Sequence, residues 1–301
     1  MVGFSNDGAG LGVGGGLTLG ANRLTLNANG RDLYGDGLTT FGTTSVNSIA
    51  DLYGSAVVAN GGSVSANRMV IIRQFITSDM ASGAWWLTDD YCSLWAENAA
   101  QALTSLKQRR LATPVATPTF TTDRGYVFNG TTQYIDTGFV PSLDGFNCTG
   151  TDQRIGAYER THVSSAGVSA GTLDTTTRAL SVVNCRNALL ATARANCATL
   201  NFTLATTDSR GLKTASRANG GLTVQMYNRG VALANGTAAA VEALAPTRSV
   251  YIGALNNAGT AASFRASSVG FVVVGGPLSG AQELAQYNAI QAWATSVGAN
   301  V

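Results

Sequence analysis

The sequence predicts a mainly β chain: an antiparallel sandwich over 113–301 that ends in a helix, preceded by a helical section (45–112) and a Gly-rich extended arm (1–44). Three observations carry this. Twelve of the first 45 residues are Gly. Apolar residues then recur at helical spacing as far as Arg110, and from Thr113 onward they alternate. Period 3.6 marks helices packed on one face, whereas period two marks half-buried strands.

The arm has scattered Leu, Phe and Tyr among its glycines. Alone it buries too little apolar surface to offset its ordering entropy, so the sequence predicts an arm held by neighbouring subunits. In the next section, Ile49, Leu52, Tyr53 and Val57 share a helical face that ends at Gly61-Gly62, and Met69, Ile72, Phe75 and Ile76 share another that closes at Gly83. A third helix is expected from an N-cap at Thr88, with Asp89 and Asp90 in its first turn and Lys107-Gln108-Arg109-Arg110 at its basic end.

Pro114 and Pro118 mark the change of period and the expected domain boundary. The runs RGYVFNG, TQYIDTGFV, RIGAYER, ALSVVNC, LTVQMYN, RSVYIGAL and SSVGFVVVG follow, each bounded by Gly, Asn, Asp or Thr. That spacing predicts an antiparallel sandwich. A hairpin is expected at Asn228–Gly230, and a final helix after the cap Ser279, with Leu284, Tyr287, Ile290 and Ala294 as its stripe.

The chain has 19 basic and 17 acidic residues, for a net charge of +2, and 12% charged residues in all. This balance points away from nucleic acid and from an anionic membrane surface. The apolar runs are too short to span a bilayer and no signal peptide is expected, so synthesis in a cytoplasm is. The sequons at Asn129, Asn147, Asn201 and Asn235 then carry no glycosylation meaning. Cys92, Cys148, Cys185 and Cys197 show no C-x-x-C spacing and read as buried thiols, with a Cys185–Cys197 disulfide left open.

Catalytic, cofactor and metal sites are expected to be absent. The four glutamates, Glu97, Glu159, Glu242 and Glu283, form no E-x-D-x-x-E-type cluster of the sort a glycoside hydrolase uses. His162 with Glu159 and Asp174 reads as loop chemistry rather than a base or metal site, and one histidine leaves no Ser-His-Asp set to argue. Asp136, Asp144 and Asp152 are too loosely spaced for calcium. The Gly8–Gly16 string opens no helix and lacks a lysine, so it is no phosphate loop. Trp85-Trp86 reads as a packing anchor, with a sugar-stacking platform as the alternative.

The stretch GYVFNGTTQYIDTGF, with Phe128, Gly130, Tyr134, Ile135, Thr137 and Gly138, resembles a strand pair of the laminin-G/concanavalin A-like jelly rolls. The hairpin Tyr227-Asn228-Arg229-Gly230, the strand VYIGAL and the last strand running into a helix extend the resemblance over about Thr113–Gly298. The preceding WWLTDDYCSLWAENAAQALTSLKQRRLATPVATPTFT resembles the variant found in structural proteins of tailed bacteriophages. The resemblance implies a non-enzymatic virion protein of a tail, neck or head appendage. It would be homo-oligomeric, partnered by other phage structural proteins and assembled through its arm. The alternative it implies is a carbohydrate-binding module for a host surface glycan, with loop Glu159–Asp174 supplying hydroxyl partners.

Overall fold

The computed structural model describes residues 17–20, 23–26, 31–34, 45–187, 189–205 and 207–301; the rest of the expected 1–44 arm lies outside them. The chain divides into two compact units, Met1–Leu52 and Tyr53–Val301. In the first, β1 (Leu17–Gly20), β2 (Arg23–Leu26) and β3 (Arg31–Tyr34) pair antiparallel, with Leu17 opposite Leu26 and Arg23 opposite Tyr34. These residues therefore satisfy their backbone groups on one another, where an extended arm was expected.

Helix α1 (Val46–Ala59) runs across the division. In the second unit, its Tyr53 and Val57 are buried, and the Tyr53 hydroxyl donates to the Gln101 carbonyl at 3.2 Å. Helix α2 (Ala66–Ser82) starts where the Ser65 hydroxyl accepts from Arg68 N, and stops at Gly83, whose φ is 79°. Ile72, Phe75 and Ile76 are buried on the expected face, together with Arg68 and Asp79. The short α3 (Ala84–Leu87) leads directly into a strand, β4 (Thr88–Ser93).

That strand corrects the helix expected from Thr88. The long unbroken pattern through Tyr91, Leu94 and Trp95 mimicked a helical face, but β4 is buried on both sides and lies antiparallel to a C-terminal strand 180 residues away. Its ladder satisfies the backbone, and Asp89 and Asp90 accept N–H groups from loops instead of a helical first turn. Only α4 (Ala99–Leu103), capped by Asn98, keeps the helical reading. The sandwich thus begins well before the Thr113 boundary.

The strands that follow are β5 (Thr113–Val115), β6 (Thr119–Thr121), β7 (Gly125–Val127) and β8 (Tyr134–Asp136), then the turn helix α5 (Pro141–Asp144). Next come β9 (Gln153–Glu159), β10 (Ala170–Leu173), β11 (Ala179–Asn187), β12 (Leu190–Ala195), β13 (Leu200–Thr203) and β14 (Gly211–Arg217). The chain continues with β15 (Thr223–Asn228), β16 (Val231–Ala232), β17 (Gly236–Thr237), β18 (Tyr251–Ile252), β19 (Leu255–Asn257), β20 (Thr260–Ala262), β21 (Ser268–Gly275) and α6 (Gly280–Ser296). One sheet runs β13-β12-β11-β10-β18-β8-β5, with the β19–β20 hairpin attached to β10. The other runs β16-β15-β14-β9-β21-β7-β6, with β17 on β15 and β4 on β21. Pairing is antiparallel except between β10 and β19.

The sandwich core follows from period two. Ile155, Ala157, Ala215, Met226 and Val272 face Leu180, Val182, Ala193, Phe202 and Ile252 across the gap between the sheets. Tyr126, Phe128 and Ile135 of the patterned stretch join this core, but Tyr134 turns outward and stacks on Tyr251 at 4.4 Å. Gly130 has φ 75°, and a Cβ there would press on Ala266, so only glycine suits the turn. The expected hairpin forms, with Asn228 opposite Val231 and positive φ at Arg229 and Gly230.

Helices α2 and α6 cover the opposite face of the second sheet, where Phe75 lies edge-on to Tyr91 at 5.4 Å and tilted against Trp293 at 5.3 Å. Ser279 and Gln282 cap α6 reciprocally. The stripe expected on α6 is shifted: Leu284 is exposed, and the buried face is Glu283, Gln286, Ala289, Ile290, Trp293 and Ala294. Glu283 is tolerated there because Arg154 Nε donates to it at 2.6 Å and Thr214 Oγ1 at 2.9 Å.

Candidate functional site

The residues weighed as reactive in the sequence are dispersed. Glu159 is fully buried and ion-paired with Arg265. Asp174 accepts from Thr247 N at 2.6 Å and from its hydroxyl at 2.9 Å. His162 Nδ1 accepts from Ser209 N at 3.1 Å and lies 4.0 Å from Asp208 Oδ1, so it serves a contact between two loops. Glu97 accepts from Ser65, Glu283 holds Arg154, and Glu242 lies 3.9 Å from Arg178. Asp136 closes a turn on Gly138 N, Asp144 holds Arg110, and Asp152 accepts from Asn219 N. Among the described residues, no His, Cys, Asp or Glu group is placed to hold a metal ion. Cys92, Cys148 and Cys197 carry free thiols, and the Cys185 side chain lies outside the described residues.

Trp85 and Trp86, read together in the sequence, separate. Trp85 is 2% exposed, stacks on Tyr91 at 5.3 Å and has the Lys107 ammonium 5.1 Å above its ring. It is the packing anchor. Trp86 is 51% exposed.

Beside Trp86 lies a tight turn that the sequence reading missed. Residues 141–148 carry Leu143 and Phe146, which are 66% and 76% exposed. Pro141 starts α5, for which its fixed φ is suited, and the Asp144 carboxylate accepts from Val140 N at 2.7 Å. Arg110 grips the same carboxylate through two nitrogens at 2.9 and 2.7 Å, and this hydrogen bonding raises the arginine pKa further. A Cβ on Gly145 would collide with the Pro141 and Cys148 carbonyls, which shows how closely the turn folds on itself.

The far side of the turn is clamped by Asp89. Its carboxylate accepts from Asn147 N at 2.9 Å, Asn147 Nδ2 at 2.9 Å and Cys148 N at 2.6 Å. Asn147 Nδ2 also reaches the Trp86 carbonyl at 3.0 Å, which sets the turn beside the indole. Burial pushes the Asp89 pKa up, and the bonds from Asn147 and Cys148 oppose that shift. The 242–246 segment runs alongside, with Ser142 N donating to Pro246 O at 2.9 Å, and adds Leu244 at 61% exposure.

The turn thus presents Leu143 and Phe146 on a braced backbone, with Trp86 and Leu244 exposed on the segments hydrogen-bonded to it. Exposed apolar residues on a backbone held this way favour association, because little backbone entropy remains to be lost on binding. The signal in the sequence was weak: a Pro-Ser-Leu-Asp-Gly-Phe turn with two apolar residues at its tip.

No family model matches the chain, and no curated protein matches it in sequence. Among solved structures, it is similar to the CBM40 of a Ruminococcus gnavus IT-sialidase bound to α2,3 sialyllactose, at 15% identity and TM-score 0.36, over 46% of this chain and 81% of that one. It is similar to domain 4 of AbnA, a GH43 extracellular arabinanase from Geobacillus stearothermophilus in complex with arabinotriose, at 12% identity and TM-score 0.43, over 66% of this chain and 98% of that one. A NanB sialidase from Streptococcus pneumoniae matches at 11% identity and TM-score 0.38, over 56% of this chain, which spans about a quarter (26%) of its length.

Proposed function

We propose that the chain is a non-catalytic structural protein of a bacteriophage particle, a tail, neck or head appendage. In this reading the Trp86–Leu143–Phe146–Leu244 surface seats a neighbouring protein subunit. The observation that carries it is the braced turn, in which a buried aspartate and an Arg–Asp pair hold two apolar tips in solvent. The aliphatic Leu143 and Leu244 favour a protein partner, since neither offers a hydrogen bond to a sugar hydroxyl. The phage assignment is supported by the sequence resemblance through 85–121. Antibody to the chain is expected to label purified particles by electron microscopy, and Phe146→Ser with Leu143→Ser to abolish incorporation while the melting temperature holds. A chain that stays in the soluble fraction of a particle gradient refutes this reading.

The carbohydrate-binding alternative has its own observation in the half-exposed Trp86, whose backbone carbonyl accepts from the Asn147 side-chain amide. A flat aromatic face beside amides is suited to stacking on a sugar ring. A glycan array separates the two: a hit lost in Trp86→Ala supports sugar recognition, and a blank array supports the structural role.

A further inference from the structure

The end of the sandwich near the 208–211 loop buries an amine against a carboxamide. Lys213 on β14 and Asn184 on β11 belong to opposite sheets, and both are 0% exposed. Lys213 Nζ donates to Ser209 O at 3.0 Å, Arg210 O at 3.3 Å and Asp208 O at 3.4 Å. Asn184 Nδ2 donates to Ala157 O at 3.0 Å, Gly211 O at 3.1 Å and the same Ser209 O at 3.3 Å. The two nitrogens share an acceptor, so they lie no farther apart than those two bonds laid end to end. Asn184 Oδ1 is buried and makes no hydrogen bond.

The surroundings hold the pair in place. Asn184 N donates to Ser169 Oγ at 3.2 Å, and Ser169 Oγ donates to Glu159 at 2.7 Å. Glu159 is locked in turn by Arg265. Lys213 stands directly across from Ala157 in the β9–β14 ladder, next to the carbonyl that Asn184 uses. Neither side chain is placed for solvent or for an outside ligand. Each faces the other sheet.

From this we propose that Lys213 and Asn184 condense into an isopeptide bond joining the two sheets. The Lys213 Nζ lone pair, freed when the ammonium loses a proton, attacks Cγ of Asn184. The Cγ–Nδ2 bond breaks as Nδ2 takes up that proton and the second one that Nζ gives up when its new bond forms, so a lysine ammonium and a carboxamide become a secondary amide and an ammonium ion. Atoms and charge balance with no oxidant or co-reactant. A lysine amine is a nucleophile only when neutral, so the ammonium must first give up a proton. The driving force is electrostatic: the reaction replaces a buried cation with a neutral amide and releases the charge to water. The shared Ser209 carbonyl keeps the two side chains in one neighbourhood, which makes the attack intramolecular. Ser169 and Glu159 act as positioning residues for Asn184.

Intact-mass spectrometry of the denatured full chain tests this directly. The expected mass is lighter than the sequence by one ammonia, and digestion yields a branched peptide that joins the Asn184 and Lys213 segments. Lys213→Met and Asn184→Ala should each carry their full calculated mass. A wild-type chain at full sequence mass, with two linear peptides, overturns the proposal and leaves the pair as caps for the 208–211 loop. So does an ammonia loss that persists in Lys213→Met, which assigns it to an Asn-Gly step such as Asn219-Gly220.

Discussion

Replacing Asp89 with Ala tests whether the apolar surface depends on its brace. The substitution removes the acceptor for three N–H groups: Asn147 N, Asn147 Nδ2 and Cys148 N. They do not lose equally. Asn147 is only half-buried, so water replaces the carboxylate at its two donors and little is lost there. Cys148 is fully buried, and its N–H stays dry and unpaired, which costs about 1–3 kcal/mol. The two charge-assisted bonds to Asn147 add about 1 kcal/mol together after rehydration, and relief from burying a carboxylate offsets part of the total. The net is about 1–3 kcal/mol, or roughly 2–12 °C in melting temperature for a unit of this size. Asp89→Asn keeps one acceptor oxygen and should recover about half. Amide hydrogen exchange localises the effect: Asn147 and Cys148 should lose protection in Asp89→Ala while the β9 and β21 amides keep theirs. Unchanged protection at Cys148 would refute the brace.

Further predictions follow from the buried charges. Burial pushes the Asp90 pKa up to about 6, and Asp79 moves in the same direction for the same reason, so both bind protons more tightly folded than unfolded. Both contributions are present at low pH and are lost as pH rises, that of Asp90 through about 6. The melting temperature should therefore climb between pH 7 and pH 5, and Asp90→Asn should flatten that slope in thermal melts. Asp208, held down to about 2 by Arg210, opposes this only in stronger acid. Glu283→Leu leaves the Arg154 guanidinium buried without its carboxylate and should cost about 3–5 kcal/mol in denaturant titration, whereas Arg154→Met with Glu283→Leu should recover most of it. Gly130→Ala forces a Cβ toward Ala266 at φ 75° and should lower the melting temperature.

The sandwich was legible where structure is local. Alternation placed β15, whose Val224 and Met226 enter the core every second residue, while short runs bounded by Gly, Asn, Asp or Thr marked β7, β9, β11 and β21. Gly83 and Ser279 marked helix ends through chemistry confined to one turn. The braced turn and the buried charges were not legible, because each depends on a partner far along the chain. Arg265 meets Glu159 at a separation of 106 residues, Asp89 meets Cys148 at 59, and β4 is a strand only because β21 offers it a ladder. A charged residue in isolation reads as surface, since desolvation is costly and the sequence names no compensating group. Register between distant strands supplies that group, which is how Lys213 and Arg154 come to lie inside and Phe146 outside.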